Sequence, residues 1–239
     1  ETSNNDMAST MDTLTVTVTM QALTLFTEGN DTVDFNTLVA GQFSKTEYYD
    51  ALGGDDMVTL PDIGAGPSDF DKSITFFGGD GNDTIQGGNR ADMIEGGNDN
   101  DMLFGGPGAD TITGGPGDDL AAGGLGPDFF FAGTGNDTYM SDSRMTGGFF
   151  TENGSDAFDG EDDVDVLQLS GGGWTVMVMG VGTLTPGDFI GGSYTQAGAA
   201  FGGMVMVTLS GSADPTQDGV HGIQFVNIEE IRLVDGSLK

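Results

Sequence analysis

Between positions 78 and 140 an aspartate recurs at every ninth residue: Asp83, Asp92, Asp101, Asp110, Asp119, Asp128 and Asp137. A carboxylate repeated at fixed spacing among glycines is suited to holding hard cations, which take six to eight oxygens from carboxylates and main-chain carbonyls. The units that carry these aspartates read GGDGNDTIQ, GGNRADMIE, GGNDNDMLF, GGPGADTIT, GGPGDDLAA, GGLGPDFFF and AGTGNDTYM. Glycine lets the backbone enter conformations with φ > 0 and turn its carbonyls inward, which a Cβ resists. The first-place glycines Gly78, Gly87, Gly96, Gly105, Gly114 and Gly123 are therefore candidate carbonyl donors, together with the fourth-place glycines Gly81, Gly108, Gly117, Gly126 and Gly135. Asp80 is an additional candidate carboxylate.

Those side chains must be positioned by the residues between them. The eighth place of each unit holds Ile85, Ile94, Leu103, Ile112, Ala121, Phe130 or Tyr139, one apolar side chain in a very short strand and pointing into a core. A disordered glycine-rich linker would not keep aspartate and an apolar residue in phase over 63 residues.

The pattern GG-x-G-x-D-x-U-x resembles the RTX (repeats-in-toxin, hemolysin-type) calcium-binding parallel β-roll. That resemblance implies a right-handed roll in which two units make one coil. It implies calcium between the turns of unit n and unit n+2, hence about five Ca2+ ions for seven units. It also implies secretion by a type I route with an uncleaved C-terminal signal. The expected fold is all-β: a parallel β-roll over residues 61–140, an N-terminal β segment with degenerate repeats over 1–60, and a C-terminal β-rich capping region over 141–239.

Composition points the same way. Thirty-eight acidic against six basic residues give a formal charge of −32, which argues against nucleic acid and anionic membrane surfaces as partners and for multivalent cations. Without cysteine there is neither a disulfide framework nor a thiolate metal site. No apolar run is long enough to span a bilayer, and the opening Glu1 leads us to expect a processed or excised piece. Carboxylates stacked about 4.8 Å apart repel by about 3.5 kcal/mol per pair at an effective dielectric of 20, so folding is expected to depend on calcium.

Outside the regular block, Thr13, Thr15, Thr17 and Thr19 alternate with Leu14, Val16, Val18 and Met20 as in a half-buried strand. Asp31 with Val33, and Asp56 with Val58, carry the repeat phase in degenerate form, and Asp69 and Asp71 sit in a turn-rich stretch before the block. Strands are expected at EDDVDVLQLSG, at 174–180, at 204–210 and at 223–236. No helix of ordinary length is expected. Apolar residues at outward places, Met102, Phe104, Leu120, Ala122, Phe129 and Phe131, predict that the region after 141, or another chain, covers the outer faces of units three to six. At the fourth place Arg90 and Asp99 replace glycine, so the Asp92 site is expected to be the weakest.

No catalytic constellation is present: His221 is the one histidine, and neither H-E-x-x-H nor G-x-S-x-G occurs. The N-x-S/T triplets at Asn82 and Asn136 fall inside repeat turns, so the repeat explains them better than glycosylation does. Together these readings predict a non-catalytic, extracellular or cell-surface module, structural or adhesive. Its partners would be calcium and, beyond it, copies of itself, other surface proteins or glycans. The alternative is the secretion and folding domain of a type I-secreted enzyme or toxin.

Overall fold

Glycine-rich turns cut the repeat region into short strands of three to six residues. The structure is a computed structural model that describes residues 25–38, 48–62, 73–142, 155–170, 174–196, 199–209 and 219–234. The threonine ladder at 13–19, Asp69 and Asp71 lie outside the described residues.

Alternate strands go to alternate sheets. One sheet contains β1 (Thr32–Asp34), β3 (Met57–Thr59), β5 (Thr84–Gln86), β7 (Met102–Pro107), β9 (Leu120–Leu125), β11 (Thr138–Asp142) and β13 (Val166–Ser170) in that order, then β19 (Glu230–Leu233) and β16 (Ser193–Thr195). The other begins with β2 (Tyr48–Asp50), β4 (Thr75–Asp80), β6 (Met93–Asn98), β8 (Thr111–Pro116), β10 (Phe129–Thr134) and β12 (Ser155–Asp159). It continues through β18 (Gly219–Ile228), β17 (Phe201–Leu209), β14 (Thr175–Val178) and β15 (Gly182–Thr183). Pairing is parallel from β1 to β19 in the first sheet and from β2 to β18 in the second, and antiparallel only at the C-terminal edges. This is a parallel β-roll, two units to the coil. Its flanks are β-rich, and their strands extend the same two sheets: β3 pairs with β5, and β11 with β13.

Register follows from the eighth-place side chains. Val33, Val58, Ile85, Leu103, Ala121, Tyr139, Leu167 and Ile231 pair in succession on one sheet. Tyr49, Phe76, Ile94, Ile112, Phe130, Phe158 and Phe225 do so on the other. All of them are buried and form one core between the sheets. A one-residue slip would turn a whole column outward, so this pattern fixes the pairing. The degenerate repeats at Val33 and Val58 thus fold as true coils. Ala121 leaves room where the rings of Phe130, Tyr139 and Phe158 stack at centroid distances of 5.4–5.9 Å.

Among the described residues the strands after 141 do not lie over the outer faces of the roll, although Ala122 there is buried. β14 and β17 instead continue the second sheet at its edge, satisfying their backbone groups there, and β13 and β19 continue the first. Phe129 stays 49% exposed and Phe131 39%, whereas Phe104 is half-buried. Among the described residues no helix is long and apolar enough to cross a membrane.

Candidate metal centre

Each turn delivers its aspartate to the same point of the coil, and the aspartates stack. On the side where the second sheet leads into the first, the backbone N–H of each stacked aspartate donates to a carboxylate oxygen one coil further on. The chain of bonds runs Asp31 to Asp56, Asp83, Asp101, Asp119, Asp137, Asp165 and finally Glu229, at 2.6–2.9 Å. We call this column A. On the opposite side a shorter column B runs from the N–H of Ile74 through Asp92, Asp110 and Asp128 to Asp156, at 2.7–3.0 Å.

One oxygen of each carboxylate is used in the ladder; the second is the chemically informative one. In column A the Oδ2 atoms of Asp56, Asp83, Asp101, Asp119, Asp137 and Asp165 are buried with no hydrogen-bond partner, and in column B so are those of Asp110 and Asp128. Eight buried, unpartnered carboxylate oxygens among the described residues are a large anomaly in a folded protein, where such groups are nearly always satisfied. Burial pushes the carboxyls of Asp101, Asp110 and Asp165 up to about 8 and those of Asp83, Asp119 and Asp128 up to about 7. Asp137 is raised to about 6 by the same cause, and the donated backbone N–H opposes the shift.

Carbonyls meet these oxygens. A methyl group on Gly105 would lie 2.5 Å from the Gly123 carbonyl oxygen and 2.6 Å from Asp110 Oδ2. The same encounter recurs at Gly78 with Asp83 and the Gly96 carbonyl, and at Gly114 with Asp119 and the Ala132 carbonyl. No three side chains of metal-ligating type converge among the described residues. Each position therefore offers one carboxylate and main-chain oxygens, with no sulfur or imidazole, which is the donor set of a hard cation. The residues fit calcium, which would supply positive charge against the carboxylates and tie successive turns together.

Residues 77–112 and 113–143 match the family model of the RTX calcium-binding nonapeptide repeat, a model of four copies. These residues are RTX repeats. No curated protein matches the chain.

The RTX repeats differ in how well they keep the turn. Asp99 takes φ 74°, a positive φ like those of Gly81, Gly117, Gly126 and Gly135 at the same fourth place. In the second repeat neither Gly88 nor Arg90 has a positive φ, and Gly88 N–H donates to Asp92 Oδ2 at 3.0 Å. Asp92, expected as a ligand, thus has its second oxygen already engaged, and the turn yields rather than forcing arginine into strain. Replacing Arg90 with glycine should let this turn close as the others do. The expected result is a rise of about tenfold in affinity at the weakest calcium site, read by calorimetry; unchanged binding would show that Arg90 is not the cause. Asp80 is not brought to either column: it is exposed, and its Oδ1 accepts from Asn98 Nδ2 at 2.6 Å.

Column B is closed at its far end by a hydroxyl. Tyr139 donates to Asp156 Oδ2 at 3.1 Å and accepts from Gly123 N–H at 3.3 Å, all within the core. Tyr139→Phe keeps the ring and removes both bonds. Leaving a buried donor and acceptor without this partner should cost about 1–3 kcal/mol, measured by urea unfolding in calcium.

Asp156, Asp165 and Glu229 were missed as column members. A signal existed for the second: Gly160, Asp165 and Leu167 stand at the first, sixth and eighth places of a repeat in which Glu161 and Asp163 take the second and fourth places, where other repeats carry glycine. Both of these take positive φ, 66° and 80°.

Proposed function

We propose that the chain is a calcium-folded structural module of a secreted or cell-surface bacterial protein, with no catalysis of its own. The observation that carries this reading is the set of eight buried aspartate oxygens without partners, strung along columns that run through the whole roll. RTX repeats bind calcium, and here the carboxylates form the spine of the fold rather than a local site. Extracellular calcium supplies the counter-charge and cytosolic calcium is too scarce to do so, so the roll folds after export. Binding contributes stability by mass action, about 1.4 kcal/mol for each site when calcium exceeds its dissociation constant tenfold. The exposed Met57, Met93, Met102 and Phe129 on the outer faces of the roll suit an adhesive contact.

The direct experiment is titration of calcium into the metal-free chain, followed by calorimetry and circular dichroism together. Binding with a concurrent gain of β-signal is expected. Absence of binding at millimolar calcium would overturn the reading.

A further inference from the structure

We propose that the turn 160–165, beyond the matched repeats, is a further calcium site in line with column A, held by the Asp165 carboxylate and the Asn227 carbonyl. This extends the calcium reading of the roll and rests on it.

Three independent features place the site there. Asp165 is fully buried; one of its oxygens accepts from Asp137 N–H at 2.9 Å, and Oδ2 has no partner. A methyl on Gly160 would collide with the Asn227 carbonyl oxygen and lie 2.6 Å from Asp165 Oδ2. That is the same meeting of carboxylate and next-coil carbonyl as at Gly78, Gly105 and Gly114 inside the repeats. Finally, Glu161 and Asp163 hold left-handed φ at the places where the repeats use glycine. A chain that only needed to connect β12 to β13 had no reason to keep that conformation with side chains that resist it. It turns the carbonyls of the loop as the repeats do.

The column ends one coil later. Glu229 accepts from Asp165 N–H at 2.8 Å through its longer side chain, and its carboxylate is absent from the set of buried unpartnered groups. Asp165 is thus the last aspartate of column A that presents a buried oxygen to the next coil.

The test is Asp165→Asn, whose amide oxygen still accepts from Asp137 N–H while the charge is removed. Ions bound per chain are counted by native mass spectrometry in calcium, beside the parent and Asp101→Asn, a ligand within the repeats. One ion fewer in both variants is the expected result. If Asp101→Asn loses an ion and a folded Asp165→Asn does not, the extension is wrong and the RTX reading stands; if the parent binds none, the RTX reading itself fails. Should Asp165→Asn not fold, crystals of the unmodified chain soaked in terbium decide the matter. An anomalous peak within about 2.6 Å of Asp165 Oδ2 supports the site, and peaks at Asp101 but not at Asp165 refute it.

Discussion

In excess chelator at pH 8 the chain is expected to lose most of its β-structure and to regain it when calcium is restored. Column A stacks six buried aspartates with an unpartnered oxygen each, and column B adds two. At that pH most of them are ionised in the absence of metal, since their carboxyls titrate between about 6 and 8 where a value is resolved. Every adjacent pair then repels by about 3.5 kcal/mol at an effective dielectric of 20. Several such pairs exceed the 5–15 kcal/mol that a domain has in hand. Calcium reverses the balance: each site held tenfold above its dissociation constant contributes about 1.4 kcal/mol, and about five of them would contribute on the order of 7 kcal/mol. Far-ultraviolet circular dichroism and thermal melting check it. A spectrum and melting temperature that stay the same in chelator would mean that the columns are held by something other than metal.

Most of the roll was legible because its two signals, aspartate at the sixth place and an apolar side chain at the eighth, are each imposed by a separate physical demand. Even Asp31 with Val33 and Asp56 with Val58 were readable, although their turns have lost glycines to Thr27 and Leu52. What escaped was the C-terminal continuation. There Glu161 and Asp163 replace the glycines, so the turn keeps its shape through strain rather than composition.

The inequality of the two columns was also present in the sequence, at the fifth place. On column A that place holds Asn82, Asn100, Asp118 and Asn136, and on column B it holds Ala91, Ala109 and Pro127. In column A these side chains form a second, outer ladder in which Asn82, Asn100 and Asp118 each accept the next coil's backbone N–H, Asp118 from Asn136 at 2.8 Å. Alanine and proline cannot do so. The outer faces misled for a different reason: an apolar side chain at an outward place says that something could rest there, not that this chain supplies it.

Acid should partly substitute for calcium. The metal-free chain is expected to gain β-structure as pH falls from 8 to about 5. A carboxyl whose folded value lies above its unfolded 3.8 binds a proton more tightly when folded. Its protonation therefore stabilises the fold, fully below 3.8, and that contribution disappears as pH rises through the folded values of about 6 to 8. For a buried aspartate such as Asp101 or Asp110 the effect is on the order of a few kcal/mol, and the column multiplies it. A lower limit is set by the outer ladder. The exposed carboxylates of Asp55 and Asp118 are held below their ordinary value by the backbone and side-chain N–H groups of Asn82 and Asn136. Their contribution is present above 3.8 and falls away as pH drops through their depressed values, so the metal-free optimum should lie near pH 4–6. With calcium the slope inverts, because protons and cations compete for the same oxygens: affinity should fall, and protons should be released on binding, between pH 8 and 6. Circular dichroism of the metal-free chain at pH 8, 6, 5 and 3 decides the point, and a β-signal that declines steadily from pH 8 to 5 would show that the buried aspartates do not govern the fold.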